Sequence, residues 1–404
     1  MILARFIDNK MGDKNFFNRS GLFLVFLLLT CTLSASFSVA LACDSGSETG
    51  GGTCVISTAQ GFTNGTSFGD GTSDLSIESG GSIANSTRLI LLTLTFANMT
   101  IKDSGYIQAS SLTINAENLT IESGSNISAN ALGWDSTDGS DEGPQTGLQG
   151  TYRKGGAGGG HGGRGGNGGG YNGWSTRSYL GGNQSGSSLW PTTMGSGAGS
   201  NYYSGAWRAY GGYGGGYMLI NISNTFNLGG HLTANGGDYR TVTCADYASG
   251  GGAGGGILVL TETLSGSGYF QSDGGDGGDC ANSDGGGGGG GRIAVWYNES
   301  TFTGIDSSTV AGGSTGTTWG GVGSVGSMIF YDQDDNAVII KESFKFHDTT
   351  GSAAESTNTT FWNTASPTVW NFTNLTIYNA EVYQETSLTL IYQNHNFTNM
   401  SWVC

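Results

Sequence analysis

The chain has 404 residues, of which 76 are glycine, 3 proline and 6 cysteine, and carries 15 basic against 31 acidic side chains for a formal net charge of −16. So little proline excludes a collagen triple helix. Aromatic residues at 11% and recurrent short blocks of valine, isoleucine and leucine exclude simple disorder, and the acidic surplus repels nucleic acid and anionic membranes.

At the N-terminus, Arg5, Lys10, Lys14 and Arg19 precede an apolar run from Gly21 to Ala42 that ends in Ala40-Leu41-Ala42. A basic region, an apolar stretch and a small-x-small end are the parts of a secretory signal. Residues 1–42 are therefore expected to be a signal peptide, cleaved to leave Cys43 first, and the protein to be extracellular or at the cell surface. An uncleaved anchor competes, because the run is long enough to span a bilayer. Lipidation of Cys43 is disfavoured by Ala40, where a leucine is wanted. Cleavage removes four basic and two acidic residues and leaves 11 against 29, a net charge of −18.

Cys31 leaves with the signal. Proximity in sequence pairs Cys43 with Cys54 and Cys244 with Cys280 in an oxidising compartment, and Cys404 is odd. No cysteine–histidine cluster has zinc spacing. Asn-x-Ser/Thr sequons stand at Asn64, Asn85, Asn98, Asn118, Asn126, Asn183, Asn221, Asn298, Asn358, Asn371, Asn374, Asn396 and Asn399, which makes each a candidate glycan site.

Along residues 43–150, "LSIESGGSI" from Leu75, "MTIKDSGYI" from Met99 and "LTIESGSNI" from Leu119 align at offsets of 24 and 20 residues. Ile77, Ile101 and Ile121 coincide, as do Ile83, Ile107 and Ile127. Period-two alternation broken by Ser/Gly predicts strand–turn–strand units. A unit this short buries its apolar face only by stacking on the next. The expected fold is all-β, a right-handed parallel β-helix with glycine-rich loops, preferred over an antiparallel sandwich because the isoleucines recur.

Residues 151–215 form a glycine-rich segment that includes "GGAGGGHGGRGGNGGG" from Gly155 to Gly170. Its "HGGRGGN" repeats every three residues. In an extended helix of three residues per turn, His161, Arg164 and Asn167 would line one edge and leave bare backbone elsewhere. A flexible loop is the alternative. Residues 216–326 are glycine-rich β-helix repeats: "GGYGGGYMLI", which begins just before them at Gly211, "GGAGGGILVL" from Gly251 and "GGGGGGRIAV" from Gly286 align at offsets of 40 and 35 residues. Each run launches a strand, with glycine serving close backbone approach and positive-φ turns. In residues 327–404 glycine gives way to aromatics. This partial β region stops on "SWVC" without a cap, which suggests a truncated chain.

The rungs, the "GGAGGGHGGRGG" block and strands of the "GGGGGGRIAVWY" type resemble the large glycine-rich, adhesin-like parallel β-helix proteins of archaeal and bacterial surfaces, over roughly Leu75 to Tyr297. The resemblance implies a secreted or wall-displayed structural or adhesive protein without catalysis, whose partners are cell-surface or extracellular polymers or proteins. The polyglycine block also resembles, more distantly, a receptor-type glycine-rich domain that binds protein ligands.

Other chemistry finds less support. GxGxxG matches arise from glycine abundance alone, and no Gly-Lys-Ser/Thr exists for a P-loop. Ser67 and Ser314 sit in G-x-S-x-G strings without the strand-to-helix elbow such a nucleophile needs. A polysaccharide lyase or hydrolase would draw on two acidic groups, Asp135, Asp138, Asp141 and Glu142 in one loop and Asp273, Asp276, Asp279 and Asp284 in another, with Arg164 or Arg292 as the cation. Ca²⁺ is the one cofactor raised, through Asp273, Asp276 and Asp279. Asp332, Asp334 and Asn336 begin an EF-hand pattern that Ala337 and Ser343 break. His161, His231, His347 and His395 are scattered. Trp174, Trp190, Trp207 and Tyr210 are candidates for an exposed binding face.

Overall fold

Two parallel ladders of isoleucine organise the first half of the molecule. In the computed structural model, which describes residues 41–136, 146–151, 154–170, 179–241, 247–315, 319–345, 369–383 and 389–403, Ile77 pairs with Ile101 and Ile101 with Ile121 in one sheet. Ile83, Ile107 and Ile127 do the same in a second sheet. All six are fully buried between the sheets, and each contributes about 1.5–3 kcal/mol by leaving water. The long strands Leu91–Ile101 and Ser111–Ile121 bury alternate side chains. Their phase shifts once: Leu92, Leu94 and Phe96 point inward, then Met99 and Ile101. At this shift Asn118 donates to Asn98, and Asn224 of the next strand to Asn118.

The main sheet has thirteen strands and the second sheet six. Ser111–Ile121 neighbours Tyr217–Leu228, with Leu112 opposite Met218, although the whole glycine-rich segment intervenes in sequence. Gly256–Ser265, Arg292–Tyr297 and Ser327–Asp332 follow in parallel. The glycine-run alignment is one residue out of register. Met218 lies opposite Ile257 and Ile257 opposite Ile293, offsets of 39 and 36 residues. Buried side chains set a register that glycine runs of unequal length do not carry.

The expected right-handed parallel β-helix is corrected. The chain is all-β, with no helix among the described residues, but pairing is mixed and no sheet closes or winds as a solenoid. After Asp332 the main sheet turns back, and Ala337–Lys345 lies antiparallel to Ser327–Asp332. Val369–Tyr383 and Thr389–Val403 then extend it in parallel. Two further three-stranded sheets are antiparallel throughout. The repeats specify which strands neighbour one another; they hold no information on how the sheet ends.

The glycine runs are not loops either. Gly286 to Gly291 donate in turn to Gly156, Gly321, Gly275, Gly159, Ser324 and Ser272. Three neighbouring segments are thus visited with a period of three. Carbonyls of the same run accept from Gly251, Gly166 and Gly313, which belong to three others. Three residues per turn send successive N–H groups about 120° apart, so the segments pack as a lattice joined in every direction. Glycine is needed for approach, not for φ. None of the residues between Gly155 and Gly170 has positive φ, yet a Cβ on Gly158 would stand 1.9 Å from the Gly287 carbonyl oxygen.

Candidate functional site

Within the lattice, "GGAGGGHGGRGGNGGG" is an antiparallel pair of extended segments. Gly155, Gly158 and His161 donate to the carbonyls of Gly169, Gly166 and Gly163, three residues apart as the repeat demands. The predicted common edge is half right. Arg164 and Asn167 are exposed, but His161 at the fold of the pair is fully buried. Its Nδ1 lies 2.9 Å from the Gly254 oxygen and its Nε2 2.8 Å from Thr193 Oγ1. Burial, and secondarily the charge of Arg292, lowers its pKa to about 3. Arg292 is 4% exposed. It donates through Nε to the Ser185 carbonyl at 2.8 Å, and through its guanidinium to Ser188 and, at 3.0 Å, to Ser327. These two side chains clamp residues 185–193 to the lattice, so neither presents itself to a substrate.

The acidic residues do not converge. Asp273 Oδ1 accepts the Ala311 N–H at 2.7 Å and its Oδ2 the Thr309 hydroxyl at 3.0 Å. Asp276 accepts the Ser314 N–H at 2.7 Å. Asn235 and Asp238 serve Asp273 and Asp276 in the same way, each at 2.8 Å. At the lattice edge a side-chain oxygen thus replaces the carbonyl that a further segment would supply, which accounts for Asp273 and Asp276 three residues apart; Asp279 is an exposed residue of the short strand Asp279–Cys280. Among the described residues no three His, Cys, Asp or Glu side chains are grouped to hold a metal. Asp135 pairs with Arg88 at 2.7 Å, and Asp284 is buried with Oδ2 accepting from Trp319 N. Asp138, Asp141 and Glu142 lie outside the described residues.

The remaining candidates have structural settings. Asp332, Asp334 and Asn336 form the turn before Ala337–Lys345, where Asp335 N–H is held by Asp332 at 3.0 Å. Ser67 is an exposed residue of the short strand Thr66–Phe68, opposite Thr93, and Ser314 is exposed outside any strand, so neither sits in an elbow. His231 stacks on Tyr269 with ring centroids 4.9 Å apart, His395 is an exposed strand residue, and His347 lies outside the described residues. Cys43 and Cys54 form a disulfide. Cys280 is disulfide-bonded too, while Cys244, Cys31 and Cys404 lie outside the described residues, as do the signal segment through Ala40, Asn358 and Trp174.

Several sequon asparagines are tied into ladders. Asn98, Asn221, Asn298 and Asn399 donate to Asp74, Asn115, Glu262 and Asn379. Asn85 donates to the Phe62 carbonyl at 2.6 Å. Asn64 is exposed and accepts from Leu91 N–H.

An aromatic hairpin is the feature with binding character. Asn201–Tyr203 and Ala206–Tyr210 pair antiparallel about Ser204 and Gly205, both at positive φ, the geometry of a two-residue type I′ turn. Arg240–Thr241 adds a third strand. At its base Asn201, fully buried, donates to the carbonyls of Thr151, Lys154 and Ala248. At its tip Tyr202 and Tyr203 are each 39% exposed. Tyr202 and Trp207 meet edge to face at 4.9 Å, and Tyr203 stacks on Tyr247 at 5.9 Å. Behind them Arg240 lies 3.8 Å from the Tyr213 ring centroid and Arg88 3.9 Å. Sequence reasoning picks out Trp207 and Tyr210 but misses Tyr202, Tyr203 and Tyr247. The signal is present, since Ser-Gly between aromatic pairs is a hairpin-turn dipeptide. Trp190 is half-buried, edge-on to Trp296 at 5.8 Å.

No helix among the described residues is long and apolar enough to cross a membrane. Comparison with protein-family models, with curated proteins and with solved structures finds no match to this chain.

Proposed function

We propose that the chain is an exported protein of the cell surface or extracellular space with a structural and adhesive role, binding extracellular polymers or proteins without transforming them. The observation that carries this reading is the aromatic hairpin: amphipathic rings held out from a tight turn whose base is locked into the glycine lattice. Such rings supply contact area at little cost in conformational entropy, and a rigid mount reduces the ordering penalty of binding. The Cys43–Cys54 disulfide fits an oxidising compartment.

Two measurements test the reading. A tag placed in the chain is expected to be labelled by an impermeant reagent on intact producing cells; protection of the tag until lysis would refute export. Purified chain incubated with a polysaccharide panel is expected to release neither reducing sugar nor unsaturated uronate, and robust release would establish a polysaccharide-active enzyme instead.

A further inference from the structure

Resting on the adhesive reading, we infer that the aromatic hairpin is a docking site for a neutral polysaccharide, with the rings of Tyr202, Tyr203 and Trp207 as platforms for the C–H faces of its sugar rings. Four observations converge on this ligand chemistry.

Ring exposure comes first. Tyr202 and Tyr203 are two of the few large hydrophobic side chains left open to solvent among the described residues, and they are adjacent. Being consecutive on a strand they point to opposite faces. Each has an aromatic neighbour on its own face, Trp207 for one and Tyr247 for the other. Two ring platforms back to back suit an extended chain of rings better than a compact ligand.

Charge is the second. The arginines described behind the rings are engaged inside the protein. Arg240 donates to the Gly211 carbonyl at 3.0 Å and to Ser136 at 3.2 Å, and Arg88 is paired with Asp135. Both lie over the Tyr213 ring rather than at the hairpin tip. With these two charges turned inward, Lys154 over the Tyr179 ring at 5.8 Å is the cation described beside the hairpin, and against a chain of net charge −16 it leaves a polyanion repelled on balance. An uncharged polymer is not.

Rigidity is the third. The type I′ turn, the third strand and the buried Asn201 fix the hairpin before any ligand arrives. Weak stacking contacts then need not offset the ordering of a loop.

The surroundings are the fourth. Tyr202 N–H is held by the Gly150 carbonyl, and beside that segment stand Leu148 and Leu180, 51% and 55% exposed, with Leu148 N–H donating to the Leu180 carbonyl. Thr151 and Tyr179 hydroxyls meet at 3.1 Å. Apolar side chains alternating with hydroxyls match a sugar chain, whose ring faces are apolar and whose edges are hydroxylated.

Affinity electrophoresis of the full chain in gels containing mixed-linkage β-glucan, mannan or polygalacturonate tests the inference. Retardation is expected in at least one neutral gel and none in polygalacturonate. Tyr202→Ala and Trp207→Ala are each expected to weaken retardation at least tenfold. Tyr202→Phe, which keeps the ring, should stay within twofold of the wild type, and Tyr392→Ala, at an exposed tyrosine far along the sequence, should not differ from it. Thermal melting of each variant separates lost binding from lost folding. Retardation in polygalacturonate alone, retardation unchanged in both alanine variants, or no retardation in either neutral gel would overturn the polysaccharide site. Capture of the chain by an extracellular protein through the same rings would also overturn it, yet leave the adhesive reading standing. Sugar release would sink the adhesive reading itself.

Discussion

His161 shows what a buried titratable group does in a body built of backbone. Its folded pKa of about 3 lies below the ordinary 6.5, so between those values the unfolded chain takes up a proton that the folded chain refuses. The stability tied to neutral His161 is present in full above pH 6.5. It falls by about 1.4 kcal/mol per unit of pH below that, until the folded pKa is reached. The melting temperature is therefore expected to drop between pH 6.5 and pH 4. His161→Gln, which keeps an acceptor and a donor without the charge, should flatten that drop; an unchanged pH slope would assign acid lability to other groups. Glycine makes the complementary case. Gly158→Ala places a methyl 1.9 Å from a carbonyl oxygen that belongs to another segment, and overpacking against backbone should cost about 3 kcal/mol or more. Gly61, where an added methyl would meet nothing within 4 Å and φ is not positive, should accept alanine within about 0.5 kcal/mol. Urea denaturation of both variants distinguishes a packing requirement from a generic preference for glycine.

At the scale of elements, the antiparallel strand Ala337–Lys345 is joined to Ser327–Asp332 by its ladder and to residues 305–308 by one cation. Lys341, 6% exposed, directs its Nζ to the carbonyls of Ser308 at 2.9 Å, Asp306 at 3.1 Å and Ile305 at 3.4 Å. Lys341→Met keeps the stem and removes the ammonium donor from the Ser308 and Asp306 oxygens, while the Ile305 oxygen keeps the Ser308 N–H, for an expected loss of about 2–3 kcal/mol. A change below 0.5 kcal/mol in the same denaturation assay would show that water replaces the ammonium. The elements also show what is legible in the sequence. Wherever side chains carry the pairing, the reading succeeds, as with Ile77, Ile101 and Ile121, because alternation and recurrence are properties of the letters. Wherever backbone carries it, the reading slips. Glycine runs look alike at any register, so aligning them sets Met218 and Ile257 one residue away from their true pairing. The turn back after Asp332 is a local hairpin, with Asp332 on the Asp335 N–H and Asn336 at positive φ, and an alignment of repeats does not register it. A spacing of three from Arg164 puts His161 on the edge; its partner Thr193 lies 32 residues away. Likewise Ser204-Gly205 marks the aromatic hairpin in the sequence, whereas the mount beneath it, the carbonyls of Ala248 and Lys154, has no local signature.

For the whole molecule, the lattice makes an unusual division of labour. The sheets are held by buried side chains, and the glycine segments mainly by amide groups, with His161, Arg292 and the edge carboxylates as side-chain ties, so their stability rests on backbone N–H groups having partners. Amides from Gly155 to Gly169, Gly250 to Gly255 and Gly285 to Gly291 are therefore expected to exchange with deuterium as slowly as those of Leu91–Ile101. Exchange within seconds, at linker rates, would show that the hydrogen bonds between these segments do not persist in solution.

The same segments have an optical consequence. Their backbone has the torsions that dominate unfolded chains, so circular dichroism would count a large part of this molecule as unordered while it is folded. Heating should then produce a cooperative melt in which the change near 200 nm comes from the sheets, with little added by the glycine segments. A spectrum reporting a half-disordered protein would be reporting a correctly assembled one.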